Sequence, residues 1–402
     1  MNLEKMAGKR IAVLLSGGVD SSVVLYELVR QGLTPDCFYI KIGPEEQNEW
    51  DCSSEEDLEM ATAVAHKYGS KLEVIDCHRE YWEQVTTYTM NKVRAGFTPN
   101  PDVMCNRLIK FGAFDEKCGH AYDIIATGHY AQTEESPFNL PRLEEADDVV
   151  EKRPLQLEEH GGRLLKWLTT SPDPVKDQTD FLAQIYDWQL KKALFPIGHM
   201  MKDEVRAIAE REHLAPAHRH DSQGICFLGK INYNDYIRRY LGEQIGDVVE
   251  LETGKLIGKH RGHWFHTIGQ RKGLGFGGGP WFVIKKDVEQ NIVYVAHGYD
   301  PATAYRQDFR IRDFHSLTLP LSSMWPAPGG MATGQTDSSR PLAITLKIRH
   351  TPEFIDGTIT PVGNGEYQIH AAQPIHGVAP GQFCVVYDYR HHRCYGSGEI
   401  AL

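Results

Sequence analysis

The sequence predicts an α/β fold, a doubly wound parallel sheet, followed by a small β domain and a C-terminal β-barrel. Three observations carry that expectation. Up to about residue 230, short apolar runs alternate with helical periodicity, the grammar of a parallel sheet covered by helices. A loop of glycines and serines, 16–22, joins the first apolar run to the first helix. After about 230 the helical signals fade and short strands between Gly and Pro turns take over. The expected units are 1–230, 231–302 and 303–402.

Ile11 to Leu15 reads as the first buried strand, and Ser21 to Gln31 as a helix with Val24, Leu25 and Leu28 on one face. Asp36 to Ile42 and Lys71 to Ile75 read as the second and third strands. Between them Ser54 can cap a helix whose first turn holds Glu55, Glu56 and Asp57. Helical signals fill 79–95 and 106–118, and the prolines of Thr98–Asn106 are expected to stop any helix between them. Asp123 to Thr127 is the fourth strand.

Residues 132–160 are acidic and carry prolines at 137, 141 and 154, with four carboxylates between Glu144 and Asp148. They read as a mobile surface insertion. Regular structure resumes at Arg163 to Leu168. Lys202 to Glu212 reads as a helix, followed by a small cationic cluster at His218, Arg219 and His220. Gly246 to Ile257 reads as a hairpin, with further strands at 281–284 and 292–296. Short strands at 343–348, 357–361, 367–370 and 383–387 close most simply as a barrel, and 322–339 reads as a long loop.

Composition sets limits. The net charge of −11 excludes a protein that binds polyanions over its whole surface, so nucleic-acid contacts must be local. The densest cationic and aromatic stretch is 258–272, which fits either RNA contacts or a solvated hairpin face. No apolar run reaches spanning length, the start lacks a signal-peptide core, and the eight cysteines lack a paired C-x-x-C framework. Reduced thiols in a cytoplasmic protein with no membrane contact are expected.

The loop Ser16-Gly17-Gly18-Val19-Asp20-Ser21-Ser22 lies where a strand feeds a helix, so its hydroxyls and the helix N-terminus make an anion site suited to phosphate. No Gly-Lys-Ser/Thr follows, so it is not a Walker loop. It suits a pyrophosphate that leaves in one piece, with Asp20 placing a Mg²⁺ on its oxygens. In doubly wound sheets ligands lie off the carboxyl ends of the strands. That rule brings Ile40 to the same rim, positioned for adenine, and Gly128 with His129, positioned for ribose or base. A glycine turn with serine caps is the plain alternative.

Cys105 is expected near a helix start, where the dipole lowers a thiol pKa. Asp102, three residues earlier, either exchanges protons there or merely caps the helix while Cys105 packs. Lys176 and Gln178 stand before another helix, as phosphate and base contacts or as solvated caps. Cys226, beside Gly224, is either a core thiol or a thiol on a swinging loop.

SGGVDSS at 16–22 resembles the signature of the PP-loop ATP pyrophosphatases, whose domain is adenine nucleotide alpha hydrolase-like. NPDVMCN at 100–106, ATGHY at 126–130, KDQ at 176–178, DSQGICF at 221–227, TIGQRKGLG at 267–275 and APGQ at 379–382 follow in the order seen in the tRNA-specific 2-thiouridylases. The resemblance spans nearly the whole chain, and the acidic insertion is longer than usual for that family.

The resemblance implies ATP and Mg²⁺ as cofactors, with adenylation of a uridine C2 oxygen and displacement of AMP by sulfur. It assigns the persulfide to Cys226, the resolving thiol to Cys105 and acid/base work to Asp102. It implies ATP contacts at Ser16, Gly17, Gly18, Val19, Asp20, Ser21, Ser22, Ile40 and Gly128. It assigns tRNA contacts to Asn100, Pro101, Asp102, Lys176, Asp177, Gln178, Arg349 and His350, supported by His129 and Gln382. The implied partners are the tRNAs for Lys, Glu and Gln, and a sulfur-relay protein that delivers persulfide. A PP-loop ligase or amidotransferase acting on a small molecule is the alternative enzyme, and a non-catalytic tRNA-binding protein is the alternative without chemistry. Neither needs the two thiol loops together.

Overall fold

A computed structural model describes Met6 and residues 8–42, 54–136, 164–220, 232–298, 302–325 and 340–402. Its first seven strands are Ile11–Leu14 (β1), Asp36–Lys41 (β2), Leu72–Asp76 (β3), Ile124–Ala126 (β4), Gln132–Ser136 (β5), Leu165–Thr169 (β6) and Ala193–Leu194 (β7). Five form a parallel sheet in the order β3-β2-β1-β4-β7. β1 is central and apolar at every position because both of its faces are covered. Ile11, Val13 and Leu15 pack with Val24 and Leu28 of the helix Val19–Val29 and with Val205 and Ala209 of the helix Lys202–Arg211. Ala12 and Leu14 point the other way, into a cluster with Tyr81, Val85, Ile109, Phe111 and Phe114.

The prolines near residue 100 start a helix rather than preventing one. Pro101 occupies the first turn, where a missing N–H costs nothing. The Asn100 side chain caps it, accepting from the backbone of Asp102 at 3.1 Å and Val103 at 3.3 Å. Helical structure then runs on to Lys117, through a π-helical segment at Asn106–Ala113. Edge strand β7 is two residues long, too short for any periodicity to reveal.

The start of the expected insertion is a strand. Residues 132–136 form β5, which pairs antiparallel with β6 from Gln132–Thr169 to Ser136–Leu165. Each carboxylate there has a cross-strand neighbour, so acidity misread a paired strand as loop. Residues 137–163 lie outside the described residues.

Four strands, Gly246–Glu250 (β8), Leu256–His260 (β9), Trp281–Asp287 (β10) and Ile292–His297 (β11), make a sheet in the order β10-β11-β8-β9. The last six are Tyr305–Ser316 (β12), Leu342–Lys347 (β13), Ile355–Gly363 (β14), Glu366–His376 (β15), Phe383–Tyr387 (β16) and Arg393–Ala401 (β17). They run β12-β15-β14-β13-β16-β17, and β12 pairs back onto β17, which closes the barrel. β12 and β17 were not anticipated, because exposed charges interrupt the apolar alternation of β12 and two glycines, a serine and a buried glutamate break that of β17.

The barrel does not stand apart. β17 also pairs with β6, so the hairpin β5–β6 extends its sheet into the first half of the chain. Val385, Tyr387 and Cys394 of the barrel lie in one cluster with Cys105, Ile109 and Phe111. Among the described residues no helix is long and apolar enough to cross a membrane.

Candidate active site

The loop 16–22 leaves the carboxyl end of β1. Gly17 has φ +74°, and a Cβ there would lie 2.2 Å from the Asp57 carbonyl oxygen, so only glycine fits. Gly18 is the N-cap of the helix Val19–Val29 and supplies no capping side chain. The serines organise the loop: the Ser21 hydroxyl accepts from Ser16 N at 3.1 Å and donates to Gly18 O at 3.2 Å, and Ser22 Oγ donates to Gly18 O at 2.8 Å. An uncapped helix start with hydroxyls around it fits an anion.

Two cations reach this loop from far along the chain. Lys202 Nζ lies 2.7 Å from Asp20 Oδ1, which also accepts from the Tyr130 hydroxyl at 2.9 Å. Arg219 donates to Gly17 O at 3.0 Å and pairs with Asp57 at 2.7 Å. The second belongs to the cationic cluster noted in the sequence. The first carried no signal there, because a helix-start lysine normally reads as solvated. Among the described residues no group of three or more His, Cys, Asp or Glu could cage a metal. A Mg²⁺ bound through one carboxylate and substrate phosphates fits this donor set.

Gly128 does make a close approach, but to the loop itself: a Cβ would lie 2.9 Å from Ser21 N and 3.1 Å from Asp20 C. Ile40 is half-buried beside the cluster under β1, paired with Ile75. His129 is 7 % exposed, with Nδ1 2.8 Å from Thr127 Oγ1 and Phe111 and Phe195 around its ring. Burial holds its pKa far below the ordinary histidine value, so it is neutral.

The segment 176–181 ties this loop to a second site. Gln178 grips Tyr130 from both sides, accepting from Tyr130 N at 3.0 Å and donating its own N–H to Tyr130 O at 2.9 Å. Asp177 is only 1 % exposed. It accepts from Ser171 N at 2.7 Å and Thr179 Oγ1 at 2.6 Å, and lies 3.4 Å from Lys347 Nζ on β13. In this arrangement Asp177 clamps the barrel to the segment 171–179. Lys176 is half-buried.

Past this clamp lies a cleft of about 320 Å³. Asn100, Pro101 and Asp102 form one wall, Arg349 and His350 another, and Gln382 a third, with Asp180 and Phe181 between them. Six of the sequence-derived tRNA-contact and supporting residues thus converge from three separate segments. Asp180 and Phe181 were missed; the His350 ring lies against Phe181, tilted by 38° with centroids 4.7 Å apart, and its Nδ1 lies 3.1 Å from Asp180 Oδ2. Arg349 donates to Ile268 O at 3.2 Å and Gly377 O at 2.6 Å, joining TIGQ to the barrel. Among the described residues the buried Gln382 Oε1 and Arg349 Nε have no partner.

Cys105 lies one helical turn beyond Asp102 and is fully buried. Burial, with the nearby Asp102 charge adding to it, pushes the thiol up to about 12. The expected dipole-lowered thiol is corrected: Cys105 ends the first turns of a long helical run, where desolvation outweighs the dipole. Cys226 lies outside the described residues, so its relation to Cys105 is not described.

The basic stretch 258–272 divides: its histidines turn inward and its lysines and arginines face outward. His260 and His263 are buried and bonded to Asn291, and Lys259 pairs with Asp247. Arg261, Arg271 and Lys272 stay exposed. At the barrel, Arg393 and His392 are both bonded to Glu134 on β5, which spends their charge. A hollow of about 350 Å³ over the turn at 271–281 contains none of the cleft residues.

Comparison with known proteins agrees with this geometry. Residues 9–230 match the family described as tRNA methyl transferase HUP domain, 234–297 the tRNA methyl transferase PRC-barrel domain, and 331–400 the aminomethyltransferase beta-barrel domain. The chain is 53 % identical over 390 residues to tRNA-specific 2-thiouridylase MnmA 1 of Bacteroides thetaiotaomicron, covering 97 % of this chain and 99 % of that one. It is 54 % identical over 390 residues to MnmA 2 of Bacteroides fragilis, with the same coverage. It is 50 % identical over 391 residues to MnmA of Porphyromonas gingivalis, covering 97 % of this chain and 98 % of that one. A solved structure of NMN synthetase from Francisella tularensis overlaps 60 % of this chain and 80 % of its own at 10 % identity, with a TM-score of 0.31, too low to bear on the fold. With the PP-loop, the cleft and identity of this size along nearly its whole length, the chain belongs to the tRNA-specific 2-thiouridylase family.

Proposed function

We propose that this chain is a tRNA-specific 2-thiouridylase that uses ATP to replace the C2 oxygen of a wobble uridine with sulfur. The observation that carries the reading is the convergence of 98–103, 180–181, 348–350 and 382–383 on one cleft, on the helix that also holds Cys105. A base flipped from an anticodon loop needs an enclosed slot with polar edges, and Asn100, Asp102, Arg349 and Gln382 line this one. The substrates are the tRNAs for Lys, Glu and Gln, the sulfur arrives from a persulfide-carrying relay protein, and the setting is the cytoplasm.

The uridine C2 oxygen attacks the α-phosphorus of ATP and pyrophosphate leaves from the loop 16–22. Asp20 would hold a Mg²⁺ there, which would supply charge neutralisation at the phosphate oxygens. Asn100, Pro101 and Arg349 hold the base, and Asp102 moves the proton released at the ring. The terminal sulfur of a Cys226 persulfide attacks C2, and AMP departs with the former oxygen. The Cys105 thiolate then attacks Cys226 Sγ; a Cys105–Cys226 disulfide forms, and the 2-thiouridine sulfur leaves with the electron pair. A thiol reductant restores the pair. Cys105 is buried and protonated here, so this step requires the helix end to be uncovered first.

Mass spectrometry of tRNA nucleosides tests the proposal. Cells carrying the wild-type chain as their only thiolase should contain 2-thiouridine, and Cys105→Ser or Cys226→Ser should abolish it while ATP binding persists. Full thiolation by either serine variant would remove that cysteine from the scheme.

A further inference from the structure

A pyrophosphate leaving group needs cationic help, and the loop 16–22 contains no lysine or arginine. Besides Mg²⁺, any cationic help must come from elsewhere in the chain, and of the two cations that reach the loop Arg219 is held by the Gly17 carbonyl and Asp57. Lys202 opens the helix Lys202–Arg211, only 8 % exposed, with its ammonium 2.7 Å from Asp20 Oδ1 and 5.7 Å from the centre of the Tyr130 ring. Its backbone N–H is fixed by Asp173 Oδ2 at 2.9 Å, which sets where the side chain starts.

Fold stability does not account for this pair. The helix Lys202–Arg211 is seated by Val205 and Ala209, both 0 % exposed. Tyr130 already donates to the same oxygen of Asp20. A buried ion pair is weak evidence of stabilisation, because desolvating both charges offsets most of their attraction. Its position is informative instead: the ammonium abuts the loop's one carboxylate, beside a helix start whose cap is glycine.

We infer that Lys202 is the pyrophosphate-binding cation of this site, parked on Asp20 without nucleotide and transferred to the β- and γ-phosphate oxygens when ATP binds. This rests on the nucleotide reading of the loop. Nζ exchanges one carboxylate oxygen for phosphate oxygens; no covalent bond changes, and the ammonium keeps its proton throughout. A charged hydrogen bond of this kind contributes roughly 10–100-fold in affinity. AMP, lacking the β- and γ-phosphates, gains nothing from it.

The test is calorimetric binding of ATP, AMP and inorganic pyrophosphate to the full chain, with magnesium and with EDTA. Lys202→Met should weaken ATP and pyrophosphate by about 10–100-fold in both buffers and leave AMP within about twofold. Lys202→Arg should restore most of the loss. An unchanged ATP affinity, or equal losses for AMP and ATP, overturns the inference. Should Lys202→Met not fold, Asp20→Asn with Lys202→Met removes both charges, and the same contrast is read in EDTA. A wild-type chain that binds ATP no better than AMP would sink the nucleotide reading itself, whereas an intact preference in Lys202→Met sinks only the role of Lys202.

Discussion

The nucleotide loop and the base cleft are built in opposite ways. The loop is seven consecutive residues that bond mostly to one another: Ser16 to Ser21, Ser21 and Ser22 to Gly18. The cleft has no such core. Its walls come from residues near 100, 180, 350 and 382 and exist only while the barrel is docked on the parallel sheet. A local motif survives as long as its strand and helix survive. An assembled cleft fails with any one of its long-range clamps, so the two should be separable by mutation.

The largest expected effect is at the clamp. Lys347 and Asp177 are 0 % and 1 % exposed, and Lys347 Nζ also lies 4.2 Å from the centre of the Phe354 ring. Lys347→Met leaves the Asp177 carboxylate buried without its cation, which costs roughly 3–5 kcal/mol. Thermal unfolding should show that loss, and Asp177→Asn on the same background should recover most of it. In the folded fraction thiolation should collapse while ATP still binds. Loss of ATP binding in step with thiolation would show that loop and cleft are one unit.

Gly17→Ala is the converse experiment. Positive φ and the 2.2 Å approach to the Asp57 carbonyl force the loop to shift, at a cost on the order of 3 kcal/mol. ATP affinity should fall steeply and tRNA affinity, measured by filter binding, should hold. Equal losses would again erase the distinction.

How much was legible in the sequence follows the same division. The loop, β1 and the helix after it could be read because every determinant lies within about twenty residues. NPDVMCN, KDQ and Arg349-His350 could be matched singly, but their convergence could not, since nothing local says that β13 packs against the segment holding Asp177. Asp180 and Lys202 went unnoticed for the same reason: each is an ordinary polar residue at a helix start until its partner arrives from 170 or 182 positions away. The basic stretch 258–272 stayed open between two readings because composition records charge without direction: its three histidines turn inward, while Lys259, Arg261, Arg271 and Lys272 face outward. Cys105 misled because a helix start was inferred from prolines without knowing what would cover it.

Those inward histidines give the next prediction. Burial lowers the pKa of His260 and His263 and takes His266 down to about 4. A histidine with a depressed folded pKa stabilises fully above its unfolded value of about 6.5, and that contribution drains away as pH falls toward the folded value. His266 alone should therefore cost about 2 kcal/mol between pH 7 and pH 5. His263 Nε2 donates to Arg94 O at 3.2 Å, tying the central sheet to the helical run before it, so acid should loosen that junction. Limited proteolysis at pH 5 should cut near 260–290 first, and His266→Phe should flatten the pH dependence. The loop holds its charges in the ion pairs Lys202–Asp20 and Arg219–Asp57, so ATP affinity should change little over that interval.

The smallest effect asks whether the cleft holds its substrate or works on it. His350 lies at the edge, tilted against Phe181 and bonded to Asp180, with 37 % of its side chain exposed. A side chain placed there can press against a base or ribose without reaching the atoms that react. His350→Ala should raise the KM for tRNA about fivefold, roughly 1 kcal/mol, with kcat and ATP affinity unchanged. Asp180→Asn weakens only the orientation of the ring and should do less. A fall in kcat at constant KM would move His350 from holding the substrate into the chemistry. A fall in ATP affinity would mean that segment 176–181 transmits strain from cleft to loop through Gln178 and Tyr130, and Gln178→Ala in the same background should then break the link.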